Sequence, residues 1–193
     1  MPAMEAAVPA SATARVQVGM SGHGRTMDFD AVLAYEPDGA SMEMTSRTPG
    51  EEFSMIVVDD RYFIAEPDAD AGYREVSGDD PLAVQLRSQF ASADLTTTFA
   101  AWRAGLEKVE VVGEEEIDGR PTCHYRLKVD MAEAGAARGD DLPAGGPPTV
   151  DYELFLQRDD LMRRVRFDVL GAVAEMNATR WNEPVSIEVP AGH

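Results

Sequence analysis

Four aspartate pairs are the first candidates for chemistry: Asp59-Asp60, Asp79-Asp80, Asp140-Asp141 and Asp159-Asp160. Paired carboxylates can serve as proton donor and acceptor when their environments push their pKa values apart. Each of these pairs, however, stands at a turn or a helix start, where aspartate bonds nearby backbone amides, so the structural reading is preferred. The stretch Asp68-Ala69-Asp70-Ala71-Gly72 faintly suggests a calcium loop, yet it lacks the glycine at the sixth position and the glutamate at the twelfth. Cys123 shares alternation parity with Tyr125, Leu127 and Val129 and is expected to point into the core as a small hydrophobe. His124 falls on the other face beside Arg126 and Lys128, where the simplest reading is a solvated side chain. Trp102 and Trp181 are read as core anchors rather than ligand platforms. No GxSxG, P-loop, HExxH or GxGxxG phrase occurs. No catalytic residue, metal ligand or cofactor site is assigned.

The elements that would position these residues are legible from their periodicity. Val16, Val18 and Met20 alternate with Arg15, Gln17 and Gly19, and Met27, Phe29, Ala31, Leu33 and Tyr35 continue the period of two. Such alternation places one apolar face on a core and is the mark of antiparallel sheet. Pro37-Asp38-Gly39, Pro49-Gly50, Asp59-Asp60 and Asp118-Gly119 separate extended runs as tight turns do. Strands are expected near 14–21, 25–35, 40–48, 52–58 and 61–65. A second set is expected at 109–117, 123–129, 150–156, 165–169 and 172–182. Between the two sets the pattern is helical. Asp80-Pro81 opens a segment with Leu82, Leu86 and Phe90 on one face. Asp94 then caps a helix carrying a Leu95, Phe99, Trp102 and Leu106 stripe, ended by Gly105. Residues 131–148 read as a short helix followed by a surface loop. The fold class is therefore α+β: a large curved antiparallel sheet of about ten strands, a half-barrel covering a helical pair.

Composition narrows the function classes. The chain has 193 residues and a formal charge of −18, from 17 basic and 35 acidic side chains. Nucleic acid is disfavoured as a partner because no basic stripe is available for phosphates, and anionic lipid surfaces are disfavoured on the same ground. A single cysteine excludes an intramolecular disulfide. Residues 1–13 form an alanine-rich N-terminal segment, a short or truncated helix interrupted by Pro9. It lacks the basic start, apolar centre and cleavage site of a signal peptide. Residues 14–190 are expected to form one domain.

One feature exceeds a plain core. Met20, Met27, Phe29, Met42, Met44, Phe53, Met55 and Phe167 all fall on inward positions, and ten methionines in all is a high count. Flexible, soft side chains of this kind can repack around a variable apolar guest, or simply fill a closed interior. Composition leaves both open. If the second helix packs its stripe over the concave sheet, the cavity-lining residues are Phe29, Met44, Met55, Leu95, Phe99, Trp102 and Leu154.

Several phrases, in order, resemble the LolA-like superfamily, and within it the LppX/LprG-type cell-wall lipoproteins of actinobacteria. They are Met55 to Phe63 as strand, turn and aromatic strand; Asp80-Pro81-Leu82; and Val112-Gly113 through Ile117-Asp118-Gly119 to Thr122, Tyr125 and Val129. Tyr152-Glu153-Leu154 to Val165, and Trp181-Asn182-Glu183-Pro184-Val185-Ser186-Ile187, complete the set. The resemblance covers residues 14–190. It implies a bent half-barrel over helices enclosing a cavity for acyl chains, with export and membrane attachment through an N-terminal lipid anchor. No lipobox precedes residue 1 in this chain, and Cys123 lies mid-strand. The family supplies no catalytic residues. The leading expectation is a non-catalytic, extracytoplasmic cell-envelope lipoprotein domain that binds or carries lipid or another apolar ligand. The alternative is an envelope sensor or interaction module with a protein partner. A cavity enzyme ranks last, because inward polar groups are scarce.

Overall fold

The computed structural model describes residues 7–8, 13–36, 39–65, 72–77, 80–82, 86, 94–139 and 146–190. Eleven strands form one antiparallel sheet in the order β6-β5-β4-β3-β2-β1-β11-β10-β9-β8-β7. The strands are β1 (Thr13–Gly22), β2 (Arg25–Glu36), β3 (Gly39–Thr48), β4 (Glu51–Val58), β5 (Arg61–Ala65), β6 (Tyr73–Val76), β7 (Leu106–Ile117), β8 (Arg120–Asp130), β9 (Thr149–Leu156), β10 (Met162–Val169) and β11 (Ala172–Thr179). Helix α1 is Leu95–Ala104 and α2 is Met131–Arg138. The sheet is thus two meanders, β1–β6 and β7–β11, joined at the centre where β1 pairs with β11. The chain leaves one edge at β6 and re-enters at the other edge as β7, so the segment between them must cross a whole face.

The hairpin turns have the chemistry that tight reversals demand. Asp59 and Asp60 both take positive φ, 51° and 58°, as the two central residues between β4 and β5. Asp118 and Gly119 do the same between β7 and β8. These pairs are turn formers, as their positions suggested. Asp79, Asp140-Asp141 and the 68–71 part of the calcium-like stretch lie outside the described residues, as does Phe90.

Alternation sets the two faces. Val16, Ala31, Met44, Met55 and Ile64 stand opposite one another in register across β1–β5, all buried. Leu127, Tyr152, Phe167, Ala174 and Met20 form the matching row across β8–β9–β10–β11–β1. This is the concave face. On the opposite face Ile56, Val58 and Phe63 make a smaller cluster covered by Ile187 and Val189 from the C-terminal segment. Trp181 pins the start of that segment by donating its indole N–H to the Met162 carbonyl at 3.0 Å.

Helix α1 crosses the concave face. The Asp94 carboxylate accepts from the Thr96 and Thr97 amides at 3.1 and 3.2 Å and from both hydroxyls at 2.6 and 2.7 Å, closing the helix start. Leu95, Phe99 and Trp102 are buried beneath it. At its end, a Cβ on Gly105 would collide with the Asp130 carbonyl. Only glycine permits that approach, and its carbonyl then accepts from the Asp130 amide at 2.6 Å. Asp130 in turn caps α2 through the Glu133 amide at 3.0 Å. The end of α1 and the start of α2 are therefore one joint. Pro81, Leu82 and Leu86 are helical as expected, with Leu86 in the core.

The described residues form eleven strands, in keeping with the expected sheet of about ten; the four-residue β6 is too short to show a period in the sequence. Two details differ from the sequence reading. His124 is not solvated: it is 5% exposed, stacked on Phe155 at 4.3 Å, with Nδ1 2.8 Å from Glu115. The outward face of β8 is covered there by an aromatic neighbour on β9, a cross-strand contact that one strand's pattern does not reveal. Cys123 is only half-buried.

Candidate functional site

Trp102 at the far end of α1 begins a run of tilted aromatic contacts. It lies 5.5 Å from Phe99 and 4.8 Å from Tyr152, and Tyr152 lies 4.9 Å from Phe167, ring centre to ring centre. These rings form one wall of an apolar cavity of about 200 Å³ between α1 and the concave face. Val18, Met20, Phe29, Val165, Phe167, Ala174 and Met176 line the sheet side, and Thr98, Trp102 and Arg138 the helix side. At Met20 it meets a wider trough of about 530 Å³ over the hairpin tips, lined by Gly22, Arg25, Met27, Pro49 and Ala172 among others. Met20 and Met27, expected inward, are 39% and 38% exposed at this mouth. A Cβ on Gly22 would sit 2.7 Å from the Ala172 backbone, so glycine lets the two tips close on each other.

Polar groups in the cavity are few. The Thr98 hydroxyl is buried with no hydrogen-bond partner. The Tyr152 hydroxyl reaches Met131 Sδ at 3.8 Å. Burial pushes the Tyr152 phenol above its ordinary pKa, partly opposed by Trp102 and the nearby Arg138 cation. Among the described residues the lining is mainly apolar, with Thr98, Tyr152, Glu175 and Arg138 as its polar members.

Of the seven residues expected to line a cavity, Phe29 and Trp102 do so. Met44, Met55, Leu95, Phe99 and Leu154 belong to the close-packed core. Met20 and Phe167 were expected as inward positions only, and Val18, Tyr152, Val165, Ala174, Met176, Thr98 and Arg138 were not expected at a cavity. The alternation of β1, β9, β10 and β11 placed the sheet residues among them on one face. Which part of that face the helix leaves uncovered is a tertiary matter.

Two other features were candidates for chemistry. A polar cleft of about 340 Å³ at the opposite sheet end is lined by Arg120, Asp159, Arg163, Arg180 and Glu183 among others, and Arg163 is tied to Asp118 at 2.7 Å. On the convex face, His124 Nε2 lies 3.9 Å from Glu153. Among the described residues, no group of three or more His, Cys, Asp or Glu is arranged to hold a metal ion.

The architecture has solved counterparts. The Mycobacterium bovis protein LprF superposes with a TM-score of 0.67 at 16% identity, over 99% of this chain and 95% of that one. The Mycobacterium tuberculosis lipoprotein LppX superposes at 0.64 and 15% identity, over 97% and 99%. The chain has the LppX-type fold. At these identities the likeness concerns the fold, and it agrees with the expected curved antiparallel sheet over a helical pair. No protein-family model matches the sequence, and neither does any curated protein sequence. Among the described residues no helix is long and apolar enough to cross a membrane.

Proposed function

We propose that residues 14–190 form a lipid-binding domain of the cell envelope, acting outside the cytoplasm to hold or carry an acyl chain. The observation that supports this most is the apolar cavity beneath α1, which shares Met20 with the hairpin-tip trough beside it. An LppX-type fold with a closed interior would offer a guest nothing; this one leaves space at the meeting point of its two meanders. The lipoprotein standing of LppX agrees with an envelope setting.

The energetics suit reversible loading. Each methylene removed from water is worth roughly 0.8 kcal/mol, so ten contribute about 8 kcal/mol before ordering costs. That gross figure corresponds to about micromolar affinity, tight enough to extract a chain and weak enough to release it. The charge of −18 keeps the carrier soluble and away from anionic bilayers between encounters. Native mass spectrometry of gently purified protein, with uptake of a fluorescent fatty acid, tests the reading. A co-purifying lipid and saturable uptake are expected. Absence of both would remove it.

A further inference from the structure

An all-hydrocarbon guest leaves two features of the cavity without a purpose. The Thr98 hydroxyl is buried in its wall and bonds to nothing. Arg138, the last residue of α2, brings a guanidinium to the same wall in a chain where acidic groups outnumber basic ones by 35 to 17. Glu175 also borders the cavity, but its carboxylate is engaged on the convex face: it accepts from Asn177 Nδ2 at 3.1 Å and lies 3.5 Å from Arg164 Nε. The Glu175 carboxylate is therefore turned to partners other than Arg138. Arg138 has contacts elsewhere as well, and a guanidinium with five N–H donors can keep those and still receive an oxyanion.

We propose that the preferred ligand is a single-chain amphiphile with an anionic oxygen head, a fatty carboxylate or an alkyl phosphate. This deepens the lipid-binding reading and rests on it. The head is held by the Arg138 guanidinium and the Thr98 hydroxyl. The chain lies along the cross-strand row Tyr152–Phe167–Ala174–Met20, from β9 to β1. Three strand spacings span roughly 14 Å, and Met20 then passes the tail into the hairpin-tip trough. Charge-assisted hydrogen bonds inside an apolar wall supply selectivity that the methylenes cannot, because an alcohol and a carboxylate of equal length bury the same chain.

The test is displacement of the neutral dye N-phenylnaphthylamine from the full chain by four ligands of one chain length, all below their micellar concentrations. They are hexadecanoate, hexadecyl phosphate, hexadecanol and hexadecyltrimethylammonium. At least one of the two anions should displace dye roughly tenfold more effectively than the alcohol, and the ammonium least of all. Preference for carboxylate over phosphate identifies the planar fork-to-fork pairing, and the reverse identifies a phosphorylated head. Arg138→Gln should abolish the advantage of the anions, bringing their displacement to the level of hexadecanol measured on the same variant. Arg138→Lys should keep the sign preference, and Thr98→Val should reduce it by a smaller factor. Thermal midpoints near the parent's confirm that the variants are folded. Equal binding of hexadecanol and both anions overturns this inference and leaves the lipid-binding reading standing. Retained anion preference in both Arg138→Gln and Thr98→Val also overturns it. If none of the four displaces dye, both readings fall.

Discussion

Met55 and Met176 are the same residue type on the same concave face of one sheet, with different surroundings. Met55, on β4, is fully buried in the core with Leu33, Leu95 and Phe99. Met176, on β11, is only partly buried and borders the cavity. The contrast extends to the regions around them. The β2–β5 part of the face packs as a dense interior, whereas the region where β1 meets β11, β10 and β9 retains space beside Trp102. Methionine composition therefore does not distinguish a closed core from a receptive one. The path of the crossing helix does.

The largest effect comes from placing a charge in each region. Phe99→Asp puts a carboxylate into a fully buried apolar site and should cost several kcal/mol, enough to prevent folding of a marginally stable domain. Met20→Asp, at the exposed mouth, should leave the urea midpoint close to the parent's. Equal loss in both variants would mean that the mouth is as tightly built as the core.

Two alanines sharpen the comparison. Ala31 on β2 and Ala174 on β11 are both buried on the concave face, but only Ala174 borders the cavity. Ala31→Leu overfills a close-packed site and should destabilise by about 1–3 kcal/mol. Ala174→Leu should be nearly neutral in thermal midpoint, because its added carbons enter existing space, and should weaken fatty-acid uptake severalfold. If Ala174→Leu unfolds the chain as readily as Ala31→Leu, no usable volume exists and the carrier reading loses its basis.

The smallest effect at neutral pH is on the tyrosines. Burial, reinforced at Tyr35 by the Asp94 carboxylate, raises the phenol pKa of Tyr35 and Tyr152 above the ordinary value near 10. A raised pKa means that the folded state keeps its proton after the unfolded chain has lost it. The associated stability is complete below about pH 10 and declines as pH rises beyond it. Urea midpoints measured from pH 8 to 11.5 should therefore fall more steeply for the parent than for Tyr35→Phe or Tyr152→Phe. Parallel slopes would show that neither phenol is kept from ionising by the fold.

Much of the framework is legible in the amino-acid sequence. Strand spans from β1 to β5 agree with their expected limits to within a residue or two. The reason is local: alternation and turn chemistry act over a few residues and need no distant partner. Asp94 and Gly105 as the ends of α1 were legible for the same reason. His124 was not, since its burial depends on Phe155 from another strand. Nor was β6, whose four residues pair only because β5 presents an edge to them.

The candidate site divides along the same line. Sequence alone determined which side chains share the concave face, because a period of two leaves each strand only one choice of sides once the core is chosen. It also determined that a helix with a Leu95, Phe99 and Trp102 stripe must bury that stripe against the sheet. Only the tertiary structure decided where on the face the helix comes to rest. That position depends on the Gly105–Asp130 joint, the summed shape of the rows beneath, and the distance the chain must cross between two sheet edges. It made Met44, Met55 and Leu154 into core, left Val18, Phe167 and Met176 beside an opening, and brought Arg138 to its wall.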